Sequence, residues 1–442
     1  DAQRQAGDAA HRETLLAAAG EARALGDTEL LVAAALANSR GWASLTGTVD
    51  EERIAVLEVA LDAVGPDDTG HRTRLLATLV AELTFDNDLD RRRAVAEEAI
   101  AIARRLDDPR AIVAALIGLL SLPDRADTDH LRWADEAIDL ASQLDDSVSL
   151  AIATASAVTS AVSFADRERF DRYLRICTDA VARVGQPALA WRATGVRALE
   201  AILNGDLEAA ENLAAEILPT AVEMGYALIW YGSVIITIRG HQGRGGEVRQ
   251  MVASVAGDPN GGSASELARA GLLLTDTQSR DYDSARSGFD EQARNGFSAR
   301  DDQLWLTHVC MNAHVCARLG DRERAAVLLA MLEPSAGLIA ATASICLFSA
   351  AACAGMLAAL LDRHTDADRH FANAVALTTG FRAPYLIATA ELEWARALLR
   401  RTPASEARAG PMLASALTAA RQHGYAEIER DALELISLLT TA

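Results

Sequence analysis

A helix-stopping residue recurs along this chain every 35 to 44 positions, each time between one apolar segment that ends and another that begins. The stops are Gly26, Gly65, Asp107, Asp145, Gly185, Gly225, Gly261, Gly296, Gly337, Gly380 and Gly424. A glycine just past a helix end supplies the left-handed residue that closes the last turn. A unit of about 40 residues is the length of two packed helices with their turns. The spacing therefore predicts an all-α solenoid of about ten helical hairpins covering residues 1–442 as a single array, with its least regular units around 225–296.

An array shares one continuous core among neighbours, so length sets a number of repeats and not of globular domains. Half of the residues are apolar but only 5% are aromatic, so Ala, Leu, Val and Ile must build the buried surface. Acidic residues number 62 and basic ones 42, for a formal charge of −20, and every basic residue is Arg. Without lysine the chain has neither a Schiff-base nucleophile nor the phosphate-binding residue of a Walker A loop. An acidic field repels phosphate backbones, so no direct nucleic-acid binding is expected.

The five cysteines, Cys177, Cys310, Cys316, Cys346 and Cys353, all fall in helical patterns, which fits a reduced, cytoplasmic setting better than a disulfide framework. No basic start with a short apolar core opens the chain. Residues 334–361 form an uncharged run longer than the roughly 20 residues that span a bilayer. Its Ala, Ser, Thr and Gly content makes it a buried inner helix of the array, and the uncharged run from Ser147 to Ala165 reads the same way.

Within a unit the two helices differ. From Gly185, a first helix is expected over Pro187–Leu203, a turn at Asn204, Gly205 and Asp206, and a second helix from Leu207 to about Met224. Second helices carry a triad spaced by four and three on one face, with a small residue first: Ala367, Phe371 and Ala374, with Ala285 and Phe289 repeating the first two members, Ala325, Leu329 and Leu332 all three, and Ala210, Ala214 and Ile217 a smaller version. The small residue lets the helix nest against its partner. The final helix, Tyr425–Leu439, is expected to cap the array with Leu433, Ile436 and Leu439 on its inner face. An uncapped apolar end would instead seek a second copy, giving a homo-oligomer.

The segments NGDLEAAENLAAEIL (204–218) and LGDRERAAVLLAML (319–332) resemble the second helix of tetratricopeptide repeats. With VDEERIAVLEVALDAV (49–64) and DRRRAVAEEAIAIARRLDD (90–108), the whole chain is similar to the helical C-terminal region of large bacterial ATP-dependent regulators of the maltose-activator type. In those regulators an NTPase module precedes the repeats; some end in a LuxR-type DNA-binding domain and others begin with a nucleotide cyclase. The resemblance implies a non-catalytic sensor or scaffold arm for signal transduction or transcription regulation. Such an arm binds a small inducer or a protein partner and controls an attached upstream NTPase. The 442 residues themselves contain no Walker A loop, no cyclase metal pattern and no final helix-turn-helix.

Chemistry-bearing constellations are few. Gly240, Gly243, Gly245 and Gly246 follow no strand and precede no Walker-type Lys, so they read as an interhelical turn. Cys310 and His314 share a helical face, but His308 and Cys316 point elsewhere, so no metal site is expected. Glu51 with Glu52 and Glu97 with Glu98 diverge on solvated faces, and Arg91, Arg92 and Arg93 read as surface ion-pair partners of Asp88 and Asp90. No nucleophile lies near a base and its orienting group, and no cofactor is implied, so an enzyme is not expected.

The scarce aromatics are the candidate recognition surface. Trp191, Trp230, Tyr231, Trp305, Tyr385 and Trp394 all fall in first helices, which line the concave side in the resembling family, and Arg192 and Arg197 could anchor a partner beside them. The plainer explanation is that each ring fills a gap between units. Trp230 and Tyr231 are adjacent, so both cannot face one core. A stand-alone peptide-binding module is the alternative function; it needs clustered arginines to hold an acidic terminus.

Overall fold

The computed structural model describes residues 10–39, 47–125, 129–224, 227–297, 302–342, 345–401 and 405–441, with side chains for all of these but 187, 188, 220–224, 227–230, 440 and 441. Among them the chain is 81% helical, with 22 α-helices. Between the first helix, His11–Leu25, and the last, Ala426–Thr441, the helices follow in sequence-adjacent pairs. First helices of consecutive pairs also touch one another, as in the run Gly70–Glu82, Pro109–Leu119, Ser147–Ser163 and Pro187–Asn204. Second helices such as Arg167–Val184 and His364–Phe381 pack on the helices that precede and follow them.

Many of the junctions share one local device. A left-handed residue ends a helix, and the Asp after it caps the next by accepting a backbone N–H with its side chain. This occurs at Gly26 and Asp27, Asp107 and Asp108, Asp145 and Asp146, Ala165 and Asp166, Arg280 and Asp281, and Gly320 and Asp321. The predicted stops change at three described places. Gly337 has no positive φ and leads into a strand. Gly262 and Arg382, not Gly261 and Gly380, hold the positive φ. Gly225 lies outside the described residues.

The triads behave as their spacing demands. Ala367, Phe371, Ala374, Ala285, Phe289, Ala325, Leu329, Leu332, Ala210, Ala214 and Ile217 are all buried.

The uncharged run after Glu333 departs from expectation. Instead of one inner helix it forms a short antiparallel hairpin, β1 (Ile339–Ala341) and β2 (Cys346–Ser349), followed by the helix Ala350–Leu360. Cys346 is therefore a strand residue. Along β1 side chains alternate between faces and each face meets a different core; a register shift opposite Ala340 and Ala341 breaks the alternation in β2, so Cys346 and Phe348 also meet different cores. Ile339 and Cys346 pack with the residues 113–203 cluster, while Ala340 and Phe348 pack with the cluster of residues 267–358. A helix could bury one stripe in this position; the two-faced hairpin serves two cores at once.

The hairpin thereby touches helices from distant parts of the chain. The helix Ser147–Ser163 touches β1, Ala227–His241 touches β2, and Pro187–Asn204 meets Pro384–Leu399. No helix among the described residues is long and apolar enough to cross a membrane.

Two further expectations change. Arg92 is fully buried and not a surface partner; burial lowers its guanidinium pKa to about 10, with the Asp302 carboxylate opposing. On the last helix Leu433 is exposed, while Ile428, Ala432 and Leu435 form the buried face with Ile436 and Leu439 beside them.

Candidate ligand-binding cleft

The first half of the chain returns against the second along a seam of backbone and side-chain contacts. The Ser263 N–H donates to the Gly47 carbonyl at 3.0 Å, and Gln303 Nε2 donates to the Ser121 carbonyl at 2.9 Å. Both glycines at the first contact are required. Gly262 has φ +52°, and a Cβ there would sit 2.0 Å from the Gly47 oxygen. Gly47 has φ +85°, and its Cβ would sit 2.5 Å from the Ala264 nitrogen. Beside them, burial pushes the Asp302 carboxyl up, against the pull of Ser263, the Leu304 N–H and Arg92.

A cleft of about 720 Å³ opens on this seam, within the roughly 300–1,000 Å³ typical of small-molecule sites. One wall is the helix Gly262–Gln278, which presents Glu266, Arg269, Leu273 and Asp276 at three- and four-residue spacing. The facing wall is the helix Tyr282–Arg294, with Ser284, Ser287, Gly288 and Glu291 at the same spacing and Asn295 just beyond. Asn87, from the turn after Leu83–Phe85, and Arg249 complete the rim.

Local chemistry holds these walls. Ser265 Oγ donates to the carbonyls of Val255 at 2.7 Å and Asp258 at 3.0 Å, and Arg269 Nη1 donates to the Ala256 carbonyl at 2.9 Å. The second wall begins at Asp281, which caps its helix through the Ser284 N–H at 3.2 Å. Gly288 lets the walls approach, since a Cβ there would meet Leu273 at 2.4 Å. Arg249 is ion-paired to Asp276; burial pushes the Asp276 carboxyl up and the Arg249 charge offsets part of that.

The cleft lining contains no histidine, cysteine or aromatic residue. Its two serines, with the carboxylates, guanidiniums and side-chain amides, offer hydrogen bonds and charge to a ligand. Among the described residues no group of three His, Cys, Asp or Glu could hold a metal ion. Cys310 lies against Cys353, His308 Nε2 is 3.2 Å from Gln292 Oε1, and His314 Nε2 accepts from Arg318 Nε at 3.2 Å.

None of the sequence-selected residues lines this cleft. Trp191 and Tyr231 are half-buried against the same apolar cluster, together with Tyr385 and Trp394. Arg192 is half-buried and Arg197 exposed on the helix that carries Trp191. Trp305 stands apart, half-buried, with the Arg125 guanidinium 4.7 Å from its ring centroid. The side chain of Trp230 lies outside the described residues. Tyr385 is stacked on His241 with ring centroids 3.6 Å apart, where three cores meet. Each of the described rings is thus partly packed on an apolar cluster and partly open to solvent, Tyr385 apart, which is stacked on His241.

No sequence signal pointed to the cleft itself, because Asn87 lies far in sequence from its other residues. The loss of regular spacing around 225–296 was the nearest hint.

No protein-family model matches the chain, and no curated protein matches it.

Proposed function

We propose that this chain is the non-catalytic sensing arm of a multidomain bacterial regulator. It is read as a right-handed, degenerate tetratricopeptide-like solenoid that closes on itself and binds a small inducer. The cleft carries this reading. It joins residue 87 of the first half to residues 249–295 of the second, so a ligand seated there favours the closed seam over an open one. That difference in binding free energy is what a sensor passes to an attached domain. The resemblance of segments 49–64 and 90–108 to ATP-dependent regulators supports an upstream NTPase as the recipient, working in the cytoplasm. DNA binding or nucleotide cyclisation would then belong to a further output domain.

An acidic-peptide module is the weaker reading. Arg12, Arg72, Arg91, Arg105, Arg169, Arg239 and Arg324 are each engaged with carboxylates of the chain itself.

The test is a thermal-shift screen of the purified chain with sugars, nucleotides, amino acids, amines and peptides, followed by hydrogen exchange on any hit. A ligand of the folded form raises Tm by mass action. The sensing reading expects protection at 47–50 and 262–266 in addition to the cleft. A hit that protects neither seam strand sinks it.

A further inference from the structure

We propose that the cleft takes an aliphatic organic cation, a small molecule carrying protonated amines joined by methylene segments. This rests on the sensing reading and specifies its ligand. Three carboxylates, Glu266, Asp276 and Glu291, line the cleft against two guanidiniums, Arg249 and Arg269. Both guanidiniums are engaged: Arg249 with Asp276, and Arg269 with the Ala256 carbonyl at 2.9 Å. The Glu291 carboxylate has no ion-pair or hydrogen-bond partner among the described residues, and it faces the wall that carries Glu266.

An anionic ligand would meet this surplus of negative charge. Of the two cations Arg249 is held by the buried Asp276, and Arg269, bound to a backbone carbonyl, stands three residues from Glu266 on the same helix, where an anion would meet that carboxylate. A nucleobase or sugar ring would find no aromatic face to stack on. An amine suits every part. Glu291 and Glu266 supply counter-charge; the side-chain oxygens of Asn87, Ser287 and Asn295 accept further N–H donors; Leu272 and Leu273 floor the methylene segments. The −20 charge of the chain steers cations toward it as well.

Spermidine is the probe, titrated calorimetrically into the full chain at physiological salt, with a neutral trisaccharide and ATP in parallel. Two variants accompany the wild type: Glu291→Gln, which removes charge without bulk, and Ser287→Trp, which fills the cleft. The expected result is saturable spermidine binding, weakened roughly five-fold by Glu291→Gln and abolished by Ser287→Trp. Spermidine binding that is equal in all three proteins reflects diffuse attraction to an acidic surface and overturns the proposal. Binding of the trisaccharide or ATP that Ser287→Trp abolishes and Glu291→Gln leaves intact overturns the cation while sparing the sensing reading. If neither spermidine nor any member of the wider screen binds, both fail.

Discussion

Arg318 and Glu393 are 75 residues apart in sequence, yet Arg318 Nη2 donates to Glu393 Oε1 at 2.8 Å with both side chains almost withdrawn from solvent. Arg396 Nε lies 3.3 Å from the other Glu393 oxygen, and its Nη2 donates to Asp431 Oδ2 at 2.6 Å. Arg318 is also 3.5 Å from Asp431. Two cations and two anions thus tie the helices Trp305–Leu319, Pro384–Leu399 and Ala426–Thr441 into one unit. Burial alone would raise the Glu393 carboxyl, but the Arg318 and Arg396 charges bring it down to about 2.

Removing one member should therefore cost more than removing a pair. Glu393→Gln leaves two guanidiniums sharing the single carboxylate of Asp431 in a dry site, and a loss of ~3–5 kcal/mol is expected. The double variant Arg318→Met, Glu393→Leu should lose less than the sum of its single variants, because neither charge is then stranded. Urea unfolding followed by circular dichroism measures both. Additive losses would mean that the two residues do not form a functional pair.

The junction residues give a local test. Ala165 holds φ +54°, a conformation that costs an L-residue with a Cβ ~1–2 kcal/mol, and glycine is free of that penalty. Ala165→Gly should raise the unfolding midpoint by up to that amount. Asp166→Ala should lower it by ~0.5–2 kcal/mol, because its carboxylate accepts from the Arg169 N–H at 2.9 Å. Opposite shifts from adjacent substitutions are hard to produce by any change in side-chain packing.

Those junctions were also the most legible part of the sequence. A stop and the apolar triad after it are local signals, so Phe371 and Phe289 are buried where the spacing placed them. What could not be read depends on distant segments. Arg92 sits in a run of three arginines that looks like surface, and the return of Asp302, with Asp86 and the Ser121 carbonyl, makes its burial tolerable. The β hairpin was read as helix because hydropathy reports that a run is buried, not that it must face two cores. Scarcity singles out Trp191 and Tyr231 but does not distinguish a gap-filler from an anchor, and their half-burial on one cluster is compatible with either.

Acid should weaken the fold before most carboxylates titrate. Burial holds His241 and His314 down to about 3 and His308 down to about 4, against 6.5 for an unperturbed ring. Between those limits the unfolded chain binds more protons than the folded one, so stability is full above about pH 6.5 and falls as pH drops through that window. Asp276, Asp302 and Glu427, raised by burial, oppose this trend nearer the ordinary carboxylate range. The urea midpoint should accordingly decline between pH 7 and about pH 5, where the imidazoles dominate. His314→Gln should flatten the slope; an unchanged slope would remove His314 from this account.

Seam closure can be separated from general stability with two glycines. At Gly262 a methyl group would strike the Gly47 carbonyl, whereas Gly20 lies mid-helix on an exposed face with nothing within 4 Å. Gly20→Ala should stabilise the chain by ~0.5–1 kcal/mol through helix propensity. Gly262→Ala should destabilise it by ~1–3 kcal/mol, the scale of a strained backbone position. It should also raise amide exchange selectively at 47–50 and 262–266, where the Ser263 N–H now meets the Gly47 carbonyl. Any ligand of the cleft should bind Gly262→Ala more weakly, since Asn87 and the helix Gly262–Gln278 form its rim from opposite sides of that contact. Equal ligand affinity in the two variants would show that the cleft does not depend on the closed seam.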